Sequence, residues 1–294
     1  MESRLRVNFP PDPNPRKPRL TMPVGAWDTH FHVWGPPHLY PYVERRPFTP
    51  PAAPIEHYLA VAKVLGFERG VMVQPRVHSQ DPAIVVDAIR KSDGRIRGMV
   101  CADIDLDAAE VRRLHDAGVR GLRIELTSKL GGSFNRKEFD RVVAQVAKSS
   151  WVVALHVDAT SILQVADVIR RMPTPTVIEK YAHIDPSKGL NQPALATLLD
   201  LAREPHVWLK TASAYRMLRR GARYEDVTAL ARIVHERSPD RVIWGTDWPH
   251  GDVFEPGQQM NDGDIVDMLL DFVPDEGRRR KLLVDNPKRL FDFS

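Results

Sequence analysis

The chain has 294 residues, 43% hydrophobic and 27% charged, a balance that suits a soluble globular protein with apolar material for one large core. Its 42 Lys and Arg against 38 Asp and Glu leave a formal charge of +4, too small and too dispersed for a nucleic-acid footprint. The one cysteine, Cys101, excludes an internal disulfide or a cysteine-rich zinc site and fits a reducing cytoplasm. No stretch approaches the roughly 20 apolar residues that span a bilayer, and Met1 to Arg19 holds no signal-peptide core, so a cytoplasmic protein without membrane contact is expected.

Residues 1–21 combine Arg4, Arg6, Arg16, Lys17 and Arg19 with five prolines, which keeps them from helix or internal strand; they read as an extended arm. The folded domain, 22–294, starts near Met22. Short β-branched apolar runs then alternate with longer segments of helical spacing, the pattern of repeated βα units. The predicted strands are Gly25 to Val33, Gly70 to Gln74, Ile96 to Ala102, Gly121 to Leu126, Trp151 to His156, Thr176 to Tyr181, Val207 to Thr211 and Arg241 to Thr246. Ile162 to Arg171 is one of the helical segments between them. Eight units in one chain of this length predict an α/β protein, a single-domain (β/α)8 TIM barrel with an extended N-terminal arm. A proline- and aromatic-rich insertion between Trp34 and Pro54 is too long for an ordinary connection and overhangs the face where the strands end.

In such a barrel the interior is packed, and chemistry collects at the strands' C-terminal ends. Strand one closes with Asp28, Thr29, His30, Phe31 and His32; alternate strand residues share a face, so His30 and His32 point the same way. Strand five ends at His156, strand six at Glu179, Lys180 and Tyr181 with His183 beyond, and strand eight at Asp247. Any one of the eleven histidines is most simply a satisfied core or surface residue. Their coincidence with ionisable groups at several strand ends weakens that reading, because strands one and eight become neighbours when the sheet closes.

On these residues the chain resembles the amidohydrolase superfamily, and within it the 2-pyrone-4,6-dicarboxylate lactonase branch. The segments that carry the resemblance are Gly25 to Pro36 (GAWDTHFHVWGP), Val71 to Asp81, Gly118 to Leu126, Arg241 to His250 (RVIWGTDWPH) and Asp285 to Phe291. It implies a hydrolase that opens a carboxylated lactone, of 2-pyrone-4,6-dicarboxylate or muconolactone type. Asp247 would take a proton from water as general base, with His30 and His32 polarising the carbonyl. Lys180 stands where the branch has a histidine.

The resemblance also implies basic residues that grip substrate carboxylates: Arg123, Lys129 and Arg216, with Arg76 and His78 as further candidates. Glu125 is a candidate partner for Arg123, and for Arg76 and Lys129 solvated surface charge is the competing reading. A small anionic substrate and no organic cofactor are expected. Whether one divalent metal ion, Zn or Mn, is bound stays open; the superfamily points to His30, His32, His156 and Asp247 as its ligands. Two alternatives accompany the lactonase reading: a metal-dependent decarboxylase of the same superfamily, favoured by His156, and a non-catalytic anion-binding barrel.

Overall fold

A computed structural model describes residues 5–79, 81–102, 106–127 and 135–291. Eight parallel strands lie in sequence order: β1 (Trp27–Phe31), β2 (Arg69–Val73), β3 (Ile96–Cys101), β4 (Val119–Glu125), β5 (Val152–His156), β6 (Thr176–Glu179), β7 (Val207–Lys210) and β8 (Val242–Ile243). Helices follow most strands: α1 (Ile55–Leu65), α2 (Ala83–Arg90), α3 (Ala108–Asp116), α4 (Arg136–Ala147), α5 (Ser161–Arg170), α6 (Pro193–Leu201), α7 (Tyr215–Arg219) and α8 (Tyr224–Arg237). The expected (β/α)8 barrel is therefore present, and every predicted strand is found, most of them trimmed at their ends, with β2 and β4 starting one and two residues earlier than expected. β8 meets β1 through backbone bonds from Thr29 N to Trp244 O (3.0 Å), Asp247 N to His30 O (2.8 Å) and His32 N to Trp248 O (2.8 Å).

The helices pack by their apolar stripes. In α5, Ile162, Val165, Ala166 and Ile169 recur at helical spacing and are all buried. Inside the barrel, Trp27, Val71, Met99, Val152, Val177, Trp208 and Ile243 form one apolar cluster with Leu290 and Phe291 of the last helix, so that helix plugs the end where the strands begin. Two residues further along the same faces the character changes. Val177 gives way to Glu179, Trp208 to Lys210, Ala154 to His156, and Gly121 to Arg123 and Glu125. Each is buried or nearly so, which forces them to satisfy one another.

The insertion after β1 is non-helical, as expected, and is fastened at its base by paired bonds between Trp34 and Ala53. His78 holds its tip: Nε2 accepts from Gly35 N (3.1 Å) and Nδ1 donates to Pro41 O (3.2 Å). Both ring nitrogens are spent, so the expected substrate contact by His78 is replaced by a structural one. Tyr40 likewise donates to Asp87 at 2.7 Å. From the N-terminal arm, Arg16 and Arg19 pair with Asp267, and Asn8 bonds His250 O and Val253 N, so the arm lies across the segment after β8.

His235 on α8 is buried with no hydrogen-bond partner for either ring nitrogen among the described residues. Burial lowers it to about 3, and His78 to about 4, from an ordinary 6.5. The unfolded chain therefore binds more protons than the folded one below pH 6.5, and stability is lost as pH falls toward 4 and 3. His235→Leu is expected to recover roughly 1–3 kcal/mol of unfolding free energy at pH 4 and to move the acid-unfolding midpoint downward. Circular dichroism against pH checks this; an unchanged midpoint would count against a neutral buried His235.

Candidate active site

The closing of β8 on β1 sets the site. An irregularity in the β1–β2 pairing between Asp28 and Phe31 changes which side chains face inward, so Trp27 and His30 both enter the barrel. Asp28 locks the junction: its carboxylate accepts from His30 N, Thr246 N, Thr246 Oγ1 and Tyr58 Oη at 2.6–3.2 Å. Burial pushes Asp28 up to about 6, against those donors. Just beyond β8, Asp247 takes a left-handed backbone (φ 63°), which aspartate tolerates better than most residues, and its carboxylate is fully buried.

His30 Nε2 lies 3.3 Å and His32 Nε2 3.6 Å from the same oxygen, Asp247 Oδ1. The convergence expected from sequence is present. His32 Nδ1 contacts the Val73 carbonyl at 2.7 Å; a carbonyl can only accept, so Nδ1 carries the proton and neutral His32 presents a lone pair at Nε2. Burial lowers both imidazoles, His30 to about 4, which keeps them neutral. Polarisation of a carbonyl by a neutral His32 Nε2 is thus ruled out: that atom accepts.

Lys180 Nζ donates to Asp247 Oδ1 at 2.7 Å, and Arg216 Nε and Tyr215 Oη donate to Oδ2 at 2.9 and 3.0 Å. Burial opposes ionisation of Asp247, but Lys180 and Arg216 outweigh it and hold the carboxyl well below its usual range. Deeper inside, Glu179 takes Arg123 at 2.8 Å and Lys210 at 3.2 Å, and lies 3.3 Å from His30 Nδ1. Here too burial is overcome, and Glu179 stays ionised. Arg123 therefore pairs with Glu179 rather than Glu125, and is a buried structural cation more than a free carboxylate clamp.

Glu125 instead holds His156. Its Oε2 lies 2.6 Å from His156 Nδ1, and His156 Nε2 lies 2.6 Å from His183 Nε2. Both His156 ring nitrogens are committed, so His156 stands outside the His30, His32 and Asp247 group, and the feature that favoured a decarboxylase is withdrawn. Lys180 and His183 bracket four consecutive residues with φ between 49° and 56°. A left-handed turn of non-glycine residues costs about 1–2 kcal/mol per residue. It sends Lys180 to Asp247 and His183 to His156.

Two adjoining cavities of about 310 and 290 Å³ open on this face, sharing Ala159, Lys180, His183, Arg216 and Arg220. Arg220 is exposed and has no side-chain partner among the described residues. Arg76, half-buried after β2, is also unpaired among the described residues but borders neither cavity. Lys129 lies outside the described residues. A third, larger cavity of about 940 Å³ lies where β2 and β3 begin, away from the ionisable cluster. Lys210, Tyr215 and Arg220 were missed from sequence. An inward-facing lysine in the apolar run VWLK was the available signal for Lys210.

The Amidohydrolase family profile matches residues 27–293. The chain belongs to this family. It is an enzyme of the amidohydrolase superfamily, which sets aside the non-catalytic alternative. It is 42% identical over 274 residues to a 4-sulfomuconolactone hydrolase of Hydrogenophaga intermedia, covering 93% of this chain and 90% of the relative. It is 35% identical to a 2-pyrone-4,6-dicarboxylate hydrolase of Comamonas testosteroni, covering 95% and 93%. An apo crystal structure from Agrobacterium tumefaciens superposes with a TM-score of 0.84 at 28% identity, covering 96% of this chain and 99% of that one.

His30, His32 and Asp247 could hold a divalent ion, since one ligand atom from each lies within 4.8 Å of the others. The donor chemistry fits. His30 Nε2 is a buried nitrogen with no hydrogen-bond partner among the described residues, and His32 Nε2 offers a lone pair. Lys180 already bonds Oδ1, so a cation would share that oxygen with an ammonium.

Gly245 lets β8 approach β1. A Cβ there would press into the His30 backbone nitrogen and come within 2.9 Å of Asp28 Oδ1. Gly245→Ala is expected to lower unfolding free energy by about 1–3 kcal/mol, read from urea denaturation. An unaltered denaturation midpoint would mean that the junction has slack.

Proposed function

We propose that the enzyme hydrolyses a lactone bearing anionic substituents. The observation that carries this reading is the cation-lined cavity placed directly over a buried carboxylate and imidazole cluster, with Lys180 and Arg216 belonging to both. The two cavities are lined by Lys180, Lys188, Arg216 and Arg220 against Asp158, Asp185 and Asp252, an excess of one cation. That excess favours an anion over a neutral ligand. The two relatives support it, since both names describe lactones that carry sulfonate or carboxylate groups.

In this reading Arg220 holds the substrate anion, since Arg216 is already shared between Asp247 (Nε, 2.9 Å) and Asp252 (Nη1, 2.7 Å). Asp247, ionised over the working pH range, accepts the proton of a water as its oxygen attacks the carbonyl carbon. Lys180 donates to the oxyanion that develops, a role a protonated lysine can fill where neutral His32 cannot. The ring carbon–oxygen bond breaks, leaving a new carboxylate and a ring-derived hydroxyl. A divalent ion on His30 Nε2, His32 Nε2 and Asp247 Oδ1, Zn or Mn, would add Lewis acidity and acidify the water.

Asp247→Asn is expected to lower kcat on a carboxylated butenolide by about 10² or more, with the protein still folded. Arg220→Ala is expected to raise KM about tenfold, the loss of some 1.4 kcal/mol of anion binding, while kcat changes little. Steady-state kinetics on both variants test the assignment; full activity in Asp247→Asn would sink it. Equilibrium dialysis against zinc checks the ligands: wild type should retain one equivalent that His32→Ala loses.

A further inference from the structure

The chain of Glu125, His156 and His183 takes no part in the steps above, yet it ends at the cavity. It is built from the ends of three neighbouring elements. Thr127 N and Oγ1 hold Glu125 Oε1 at 3.0 and 2.6 Å, which aims Oε2 at His156 Nδ1. The two imidazoles meet Nε2 to Nε2 at 2.6 Å. At that separation one proton must lie between them, because two lone pairs repel and two N–H groups collide. Glu125 requires a proton on His156 Nδ1, so in the neutral pair His183 Nε2 donates to His156 Nε2. His183 Nδ1 is then the atom without a partner among the described residues, and His183 lines both cavities.

We propose that His183 is the general acid that protonates the leaving ring oxygen, with His156 and Glu125 as the relay that charges it. This rests on the lactonase reading and adds the acid half of the reaction. With one added proton the chain reads Glu125 carboxylate, His156 protonated at Nδ1 and Nε2, and His183 protonated at Nδ1. As the ring carbon–oxygen bond breaks, the leaving oxygen takes the Nδ1 proton and the electron pair stays on that oxygen. The Nε2 proton of His156 crosses to His183 Nε2, and both imidazoles return to neutrality. The proton that Asp247 took from water restores the balance through solvent.

The surroundings decide when the acid is armed. Arg123 from β4, Lys180 from the end of β6, and Arg216 and Arg220 from α7 and its end face the pair, against Glu125, Asp158, Asp185 and Asp252. Burial and these cations hold both imidazoles below their ordinary range in the free protein. An anionic substrate offsets the cations, so the pair gains its proton when substrate is bound and the acid serves anionic lactones selectively.

The test uses two carboxylated lactones, one with an alcohol as leaving group and one with an acidic enol. Protonation matters for the alcohol and little for the enol, so His183→Gln should lower kcat about 10²-fold on the first and less than about fivefold on the second. Glu125→Gln, which keeps the hydrogen bond but removes the charge, should shift the basic limb of kcat on the alcohol-type lactone to lower pH, an effect that mere loss of packing does not produce. Equal losses on both lactones, an unmoved limb, or wild-type enzyme that opens enol lactones alone overturns the proposal. Failure of the wild type on every lactone overturns the lactonase reading instead. Imidazole NMR of the unliganded protein tests the chain without turnover: His183 should be protonated at Nε2, and protonation at Nδ1 alone overturns the relay.

Discussion

The site depends on the contact between the first and last strands. Backbone bonds across that junction join His30, His32 and Asp247 from opposite ends of the chain. Asp28 reinforces it by bonding β1, α1 and the end of β8 at once. Gly245 is needed there because no Cβ fits against His30. A barrel whose closing edge also carries its reactive groups ties folding to chemistry: a loosened junction separates the carboxylate from the imidazoles.

Burial then dictates the charge states. Placing Asp247 and Glu179 wholly out of water is unfavourable unless cations meet them, and Lys180, Arg216, Arg123 and Lys210 do so. At the imidazoles the same burial outweighs the opposing pull of Glu179 and Asp247 and keeps His30 and His32 neutral. The result is an ionised carboxylate beside two neutral imidazoles, under a cavity bordered by Lys180, Arg216 and Arg220. The strained turn at Lys180 to His183 serves this arrangement by carrying Lys180 to Asp247 and His183 to His156.

Much of this was legible beforehand. Period-two alternation placed His30 and His32 on one face, and the βα repeat placed Asp247 beside them. Partner choice was not legible. Arg123 and Glu125 sit two apart on one strand, yet face different neighbours: Arg123 reaches across to Glu179, while Glu125 meets His156 on the adjoining strand. His78 looked like a rim residue and proved to pin a loop, because only the folded insertion brings Gly35 and Pro41 to its two nitrogens.

The sequence by itself determined the barrel, its strand order and the residues offered at the catalytic face, since these follow from local periodicity and from the rule that consecutive parallel strands lie side by side. Only the tertiary structure decided which acid meets which base, which imidazole nitrogen carries a proton, and that His156 joins His183 rather than His30. Those outcomes turn on ångström-scale distances and on burial, and both exist only once strands distant in the chain share one dry interior.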